Sequence, residues 1–350
     1  MMRRIDPFFT FLLLAIAIFG LIVLKSAVIH DFEFLFKRQI IWDTVGFVVF
    51  FILSFIKFDR VNRLFPLGYV ISIILLIVVL KTSEEIFGSK RWLHLPFGAI
   101  QPSEIAKLMT VGVLSNLLSR ESFKRFILSF LVVIFPFILV FLEPDLGTAI
   151  IFPTVWFLML YVSKYRRRYI YIPLVSILII TPIAFNHLLM DYQRERIMAF
   201  LMPEKYSASR AYQMIQSMRA IGSGMLFGRG YMMGPFNLYG YIPVNHSDFI
   251  FSTLAEEFGF LGSVVLIILY GLILSRMYRH FSRLRNDRNK LFICGFTVLL
   301  SIHALYNMGM CLGILPVAGL PLPLVAYGGT STFVFLSFAG MVNSVISDHE

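Results

Sequence analysis

Residues 242–274 read "IPVNHSDFIFSTLAEEFGFLGSVVLIILYGLIL". A polar run, Asn245 to Asp248, opens directly into a stretch that stays apolar almost throughout to Leu274. Crossing the core of a bilayer takes ~20 mostly apolar residues, and 249–274 supplies them. Only Glu256 and Glu257 interrupt the run, about two turns beyond the polar residues. A helix of this length in water would carry a charged face along its whole length. This one does not, so it reads as a membrane span with a carboxylate, Asp248, at its lip.

Nine further runs of the same kind flank it, at about 8–28, 39–56, 65–81, 103–119, 125–142, 147–163, 169–190, 290–312 and 324–346. The composition agrees. The 350 residues are 58% hydrophobic and only 15% charged, too little charge to clothe a water-soluble domain of this length. The formal charge of +11 would point to nucleic acid in a soluble protein. Here the basic residues fall in short clusters between apolar runs, which argues against a nucleic-acid partner. Cys294 and Cys311 share one apolar run and offer neither a disulfide framework nor a metal-ligand spacing. The opening "MMRRIDPFFTFLLLAIAIFGLIVL" (1–24) has the basic start of a signal peptide. Its apolar run is long enough to span, and no small-x-small cleavage site follows closely, so it reads as an uncleaved first span. There is no clear internal repeat and no low-complexity segment. The expected fold is an all-α polytopic membrane protein of about ten transmembrane helices, one integral-membrane domain over 1–350.

Basic clusters at 57–63, 120–125, 164–168 and 276–290, with Arg3 and Arg4, fall on alternate connections. The positive-inside rule then places both termini in the cytoplasm. Two long segments lie outside, 82–102 and a large extracytoplasmic loop, 191–247, between helices 7 and 8. The second is far longer than a connection needs to be, and long loops in compact proteins usually carry function. Within it, "RAYQMIQSMRAI" (210–221) sets Ala211, Met214, Ile215 and Met218 at helical spacing, a short amphipathic helix for the outer membrane surface. The next stretch, "GSGMLFGRGYMMGP" (222–235), lacks the lysine of a phosphate-cradling loop and the spacing G-x-G-x-x-G. Its glycines serve tight turns alone, or a close approach of backbone to a ligand or the membrane.

Ionisable residues inside spans are costly and are candidate functional sites. "QPSEIAKL" (101–108) puts Glu104 and Lys107 on one helical face, as a mutual ion pair, as a charged wall on a cavity, or both. "EPDLGTA" (143–149) sets Glu143 and Asp145 either side of Pro144, to bind a cation or to face water. Asp43 is alone in the second run. His303 and Asn307, one turn apart, read as interhelical hydrogen-bond partners rather than ligands. In "GSKRWLHLPFGAIQPSE" (88–104), Trp92 is an interfacial anchor that, beside Lys90 and Arg91, also suits an anionic lipid headgroup. "DYQRERIMAF" (191–200) adds Arg194 and Arg196 just outside the seventh run, a hint of an anionic ligand. Asp248 has two readings. It caps the eighth helix, or it works with Glu256 and Glu257 in a polar cavity open to the outer leaflet.

Seven segments, "GSKRWL", "QPSEIAK", "EPDLGTA", "GSGMLFGRG", "HSDFIF", "AEEFGFLG" and "PLPLVAYGG", occur in this order along nearly the whole chain. Together they resemble the signature segments of the SEDS family (shape, elongation, division and sporulation). "RRIDP" (3–7) and Pro321 resemble its elongation branch rather than its division branch. The resemblance implies a ten-helix fold and a peptidoglycan glycosyltransferase. Such an enzyme polymerises lipid II into β-1,4 glycan strands at the outer face of the bacterial cytoplasmic membrane, in cell elongation and rod-shape maintenance. It implies a class B penicillin-binding protein as transpeptidase partner, with other elongation-complex membrane proteins. It implies that Asp248 is the essential acid of the large loop, and that Trp92, Glu104, Lys107 and Asp145 match central-cavity positions. The chain departs from the pattern at Val244, where an acid is usual after the proline, and in "GPFNLYG" (234–240), where a polar run is usual.

That chemistry fits the residues. One inverting displacement of a lipid diphosphate needs a base for the acceptor 4-hydroxyl, for which Asp248 is the candidate. It needs positive charge on the departing diphosphate, from Arg91, Arg194, Arg196, Lys107 or a divalent cation, Mg²⁺ or Mn²⁺. Asp248 as a metal ligand remains the alternative. No nucleotide cofactor is called for. The rival reading is a transporter that flips lipid II. It would require a polar path to the cytoplasmic side, where the connections are short and basic with no matching acidic cluster. A scaffold that only recruits partners explains neither the intramembrane charges nor the long loop.

Overall fold

The computed structural model describes residues 5–28, 33–82, 91–95, 98–174, 191–206 and 211–348. Arg3, Arg4, Lys90, Arg210 and the 175–190 part of the seventh run lie outside these residues. In chain order the elements are α1 (Pro7–Ala27), α2 (Glu33–Phe55), α3 (Phe58–Asn62), α4 (Phe65–Thr82), β1 (Leu93–Leu95) and β2 (Gly98–Ile100). Then come α5 (Pro102–Leu117), α6 (Phe123–Leu142), α7 (Leu146–Val162) and α8 (helical residues 167–174). The rest are α9 (Asp191–Leu201), α10 (Tyr212–Gly224), α11 (Pro235–Leu238), α12 (Ile250–Arg283), α13 (Asp287–Cys311) and α14 (Gly329–Ser347). The two short strands pair antiparallel, Leu93 opposite Ile100.

Seven of these helices, α1, α2, α4, α6, α12, α13 and α14, are long and apolar enough to cross a membrane. Helices α5 and α7 are shorter and stand at the fourth and sixth runs, and the tenth run, read from 324, is helical only from Gly329. The outward faces carry Phe11, Ile18, Val48, Ile52, Leu67, Ile74, Phe135, Ile138, Val265 and Ile268, all exposed. Soluble monomers do not display so continuous an apolar band, and lipid must cover it. Helix α14 is the opposite case, enclosed over nearly its whole surface by α2, α5 and α13.

Helix α13 sets the long dimension. At its start, Asp287 pairs with Lys164 at 2.8 Å and Arg288 with Asp59 at 2.5 Å. Near its end, Asn307 and Cys311 reach the main chain of Asp248. Its 25 residues span roughly 37 Å, enough to cross a hydrocarbon core of ~30 Å. The molecule therefore has a basic end and an Asp248 end. At the basic end Asp6 caps α1, accepting from the N–H groups of Phe8 and Phe9. It also accepts from Arg276 at 2.7 Å and pairs with His280 at 2.9 Å, while its own N–H donates to Asn343. Burial works against charge on this carboxyl, but the His280 and Arg276 bonds outweigh it and hold its pKa below the usual carboxylate range. One residue thus ties α1, α12 and α14 together. The interior at this end is aromatic. Phe292 packs on Phe58, Phe65 and Phe338 with ring centres 4.6, 5.5 and 4.8 Å apart.

Helix α12 is not the uninterrupted span its hydropathy suggests. At Gly259 the backbone takes φ 66° and ψ −160°, which splits the helix. A broken helix at membrane depth must have its freed backbone groups satisfied by protein. Here the glycine-rich segment does so. The N–H groups of Arg229 and Gly230 donate to the carbonyls of Glu256 and Glu257 (2.9 and 3.1 Å), and those of Phe260 and Leu261 donate to Met225 and Leu226 (2.9 and 3.1 Å). A Cβ on Gly259 would collide with Gly228 and lie 2.7 Å from the Leu226 carbonyl. Gly224, Gly228 and Gly259 therefore let one backbone approach another.

Candidate functional site

The site is assembled at the lip of α12. Helix α12 begins at Ile250 with Phe249 at its N-cap, and no side chain caps it. The capping reading of Asp248 is thereby overturned. Its carboxylate has one hydrogen bond at its edge of reach, from Ser247 Oγ at 3.4 Å, and it stands partly buried beside Arg91, Arg196 and Asp145. Burial raises its pKa above the ordinary 3.8, and Asp145 adds to the rise. Arg91, the Ser247 hydroxyl and Arg196 pull the other way. Gly319, at φ +70°, faces the same space. A Cβ there would lie 3.4 Å from Asp248 Oδ2 and 3.9 Å from Arg91 Nη1.

Arg91 is held by the α6–α7 connection. Its Nη2 donates to the Pro144 carbonyl at 2.9 Å, and its Nε lies 3.5 Å from Asp145 Oδ2. Asp145 also caps α7, accepting from the Thr148 N–H at 3.1 Å. Its neighbour Glu143 is fully buried, and among the described residues neither carboxyl oxygen has a hydrogen-bond partner. Burial, reinforced by the charge of Asp145 and opposed by Arg91, pushes the Glu143 pKa up to about 9. Arg196, on α9, borders a recess of ≈ 210 Å³ with Phe200, Met214 and Val317. Arg194 is two residues away on the same helix, so the two do not share a face. Trp92, next to Arg91, leads into β1.

Glu104 and Lys107 are placed differently. They form an ion pair of 2.8 Å, almost fully buried, within α5. Lys107 Nζ also lies 2.9 Å from His303 Nε2. An ammonium only donates, so Nε2 accepts and the ring proton sits on Nδ1, 3.3 Å from the Pro321 carbonyl. Lys107 borders a separate recess of ≈ 170 Å³ with Thr110, Phe152 and Leu299. Asn307 donates to the carbonyls of both Asp248 (2.9 Å) and Leu320 (2.8 Å). His303 is thus an interhelical partner, to Lys107 of α5, whereas Asn307 bonds the main chain of two connecting segments rather than another helix. Glu256 and Glu257 do not line a cavity with Asp248. Glu256 accepts from the N–H groups of Phe236 and Asn237 at 2.8 and 3.2 Å, receiving the first turn of α11. Glu257 accepts from Ser26 and from Asn237. Asn237, in the stretch that departs from the family pattern, was given no role by its sequence. The structure makes it the hub joining α1, α11 and α12.

The amphipathic helix appears as α10, but its buried face is Ala211, Met214, Ser217, Ala220 and Gly224, with Met218 turned out. It packs on α12 and α13 through Ser217, which meets Ser252 at 2.5 Å and the Cys311 carbonyl at 2.8 Å. Small residues let two backbones come close, so the helix docks on the bundle rather than only floating on lipid.

Fold and site define a polytopic helical membrane protein with a cluster of cations and carboxyl groups at one membrane face. The chain belongs to the FtsW/RodA/SpoVE family of cell cycle proteins, whose model matches residues 7–350. It is 34% identical to the peptidoglycan glycosyltransferase MrdB of Escherichia coli K12, covering 98% of this chain and 93% of that protein. It is 33% identical to MrdB of Helicobacter pylori 26695, covering 97% and 89%. Among solved structures it resembles a chain from a study of polymerization and crosslinking by a peptidoglycan synthase complex, with a TM-score of 0.85, 30% identity and 99% and 98% coverage. It also resembles the rod shape determining protein RodA of Thermus thermophilus, with a TM-score of 0.74, 28% identity and the same coverage.

Proposed function

We propose that this chain is a peptidoglycan glycosyltransferase that polymerises lipid II into β-1,4 glycan strands, with Asp248 as the general base. The observation that carries the assignment is the state of Asp248. It caps no helix, its pKa is raised by burial, and the charges of Arg91 and Arg196 act on it. A base works best when its pKa approaches the working pH, and burial moves Asp248 that way. In the reaction Asp248 takes the proton of the acceptor 4-hydroxyl. The oxygen attacks the anomeric carbon, and the bond to the lipid diphosphate breaks with inversion. Arg91 and Arg196 face the developing charge on the leaving diphosphate, with Arg194 and Trp92 at the approach. The positive N-terminal ends of α5, α7, α12 and α14 open toward the same face and favour an anion there. Glu104 and Lys107 stand behind this layer, engaged with His303.

Among the described residues no three His, Cys, Asp or Glu side chains converge as an all-protein metal cage requires. Asp145 and Asp248 fit only a cation held mainly by substrate phosphates. A Mg²⁺ or Mn²⁺ ion bound there would neutralise the leaving group.

The basic end faces the cytoplasm and the Asp248 end faces outward, in a bacterial cytoplasmic membrane, with both termini inside. A class B penicillin-binding protein is the transpeptidase partner, within a larger elongation complex. A flippase would need a polar path through the basic half, and the packed Phe58, Phe65, Phe292 and Phe338 cluster speaks against one. The test is to incubate purified protein with lipid II, with and without partner and divalent cation, and to look for glycan chains. No polymer with any cognate partner, together with flipping in liposomes, overturns the assignment in favour of transport.

A further inference from the structure

Among the described residues the Asp248 side chain has one hydrogen bond, the 3.4 Å contact with Ser247. Its main chain is fixed at its own carbonyl from α13 and two residues earlier by the Tyr327 N–H, which donates to the His246 carbonyl at 2.8 Å. Asn307 is fully buried on α13. Its amide nitrogen donates to the Asp248 carbonyl at 2.9 Å and to the Leu320 carbonyl at 2.8 Å. Both protons of one planar NH₂ group are therefore used, on two segments whose bonded carbonyls are 72 residues apart in the chain. The second segment carries Gly319, whose open face borders Asp248 Oδ2 and Arg91 Nη1. Cys311, one turn on, adds a weak contact to the same Asp248 carbonyl at 3.7 Å. We infer that Asn307 is the positioning residue of the glycosyl-transfer site, clamping the Asp248 segment to the Gly319–Pro321 segment so that the carboxylate and Arg91 face a common space.

The inference rests on the glycosyltransferase reading, because the geometry it protects is that of Asp248 toward an acceptor hydroxyl. Its chemistry is specific. A carboxylate at 307 would set negative charge against two carbonyl oxygens. An apolar side chain would leave both carbonyls buried and unpaired, each at a cost of ~1–3 kcal/mol. Only a primary amide supplies two donors at this separation. His303 works in parallel one turn away, through Nδ1 to the Pro321 carbonyl. The 319–321 segment is thus held at two successive points by one face of α13.

A positioning role and a merely structural one differ in what they move. A misplacement of about 1 Å at a reacting group costs up to ~10²-fold in rate and does not touch substrate binding elsewhere. The experiment measures glycan polymerisation by the full chain with its partner over a series of lipid II concentrations. Asn307→Leu removes both donors. Asn307→Gln keeps both and displaces them by one methylene, so it folds even where the leucine variant does not. The expected result for Asn307→Gln is kcat lowered 10- to 100-fold, KM for lipid II within about threefold of the parent, and an unchanged melting temperature. Folded variants that polymerise within about threefold of the parent kcat, or that lose only KM, overturn the inference. Polymer from the parent is the control. If the parent makes none with any partner, it is the functional reading that fails.

Discussion

Asp248→Asn is the substitution on which the mechanism turns, and the structure gives both its signs. A general base contributes ~10²–10⁴-fold, which is about 2.7–5.4 kcal/mol of barrier. The amide cannot take the proton, so polymerisation should fall by that factor. Stability should move the other way or not at all. The carboxylate caps no helix, and its single bond to Ser247 is long. Its folded pKa is raised above the unfolded 3.8. A carboxyl group of that kind gives stability that is fully present below the unfolded pKa and lost as pH rises through the folded one. Asparagine, neutral at every pH, carries no such dependence, so its stability should match or exceed the parent's once the pH passes through the folded pKa. The assay pairs glycan-chain formation from lipid II with thermal unfolding of the same preparation at pH 7. Polymerisation above about a tenth of the parent rate, outside the general-base range, would refute Asp248 as the base. A melting temperature clearly below the parent would show that the carboxylate holds structure the geometry does not reveal.

Three further outcomes are expected. Lys107→Met should destabilise by ~3–5 kcal/mol, because it orphans the buried Glu104. The double variant Glu104→Gln/Lys107→Met should recover most of that, as read by unfolding in detergent, and additive losses would show that the two are not coupled. Gly259→Ala should cost more than the ~1–3 kcal/mol of a strained backbone, since the methyl also strikes the 226–228 main chain. Gly240→Ala shares the positive φ but meets nothing within 4 Å, so it should cost far less, and equal losses would contradict the spliced-helix reading. Glu143 should make stability fall with pH between its ordinary 4.5 and about 9, the window in which the folded state holds the proton and the unfolded state does not. Glu143→Gln should flatten melting temperature against pH across that window, and an unchanged slope would mean that the carboxyl is charged.

The spans were legible because an apolar run of bilayer length has few other meanings, and the ion pairs at the start of α13 gather the 57–63 and 164–168 segments at one end of the bundle. The break at Gly259 was not. "AEEFGFLG" is apolar enough on both sides to read as one helix, and hydropathy carries no information about φ. The partners of Glu256 were hidden for a related reason. They are backbone N–H groups of α11, 20 residues away in the chain and brought close only when the glycine-rich segment docks. Helix α10 was found by its period, and Ala211 and Met214 are buried as read, but the buried face turns toward Ser217 and Gly224 and leaves Met218 exposed. Its contact surface uses small residues for close backbone approach, whereas the sequence argument weighted Met214, Ile215 and Met218 by hydrophobicity.

Glu104 and Lys107 illustrate how far a sequence carries a site. Their spacing allowed an ion pair, a cavity wall, or both, and the structure adds what they connect to. The pair bonds His303, His303 bonds the Pro321 carbonyl, and the adjoining Leu320 carbonyl bonds Asn307, which bonds the main chain of Asp248. The links through Glu104, Lys107 and Leu320 are buried and those to Pro321 and Asp248 partly so, and in such surroundings hydrogen bonds polarise one another and an unpaired partner is costly. Buried charge in the fourth helix therefore need not touch a sugar or a phosphate to matter for catalysis. It can act by fixing the loop that faces Asp248. No single segment spells out this dependence, because its members come from α5, α13, the α13–α14 connection and the lip of α12. What makes them one unit is the convergence of those four elements at the Asp248 end.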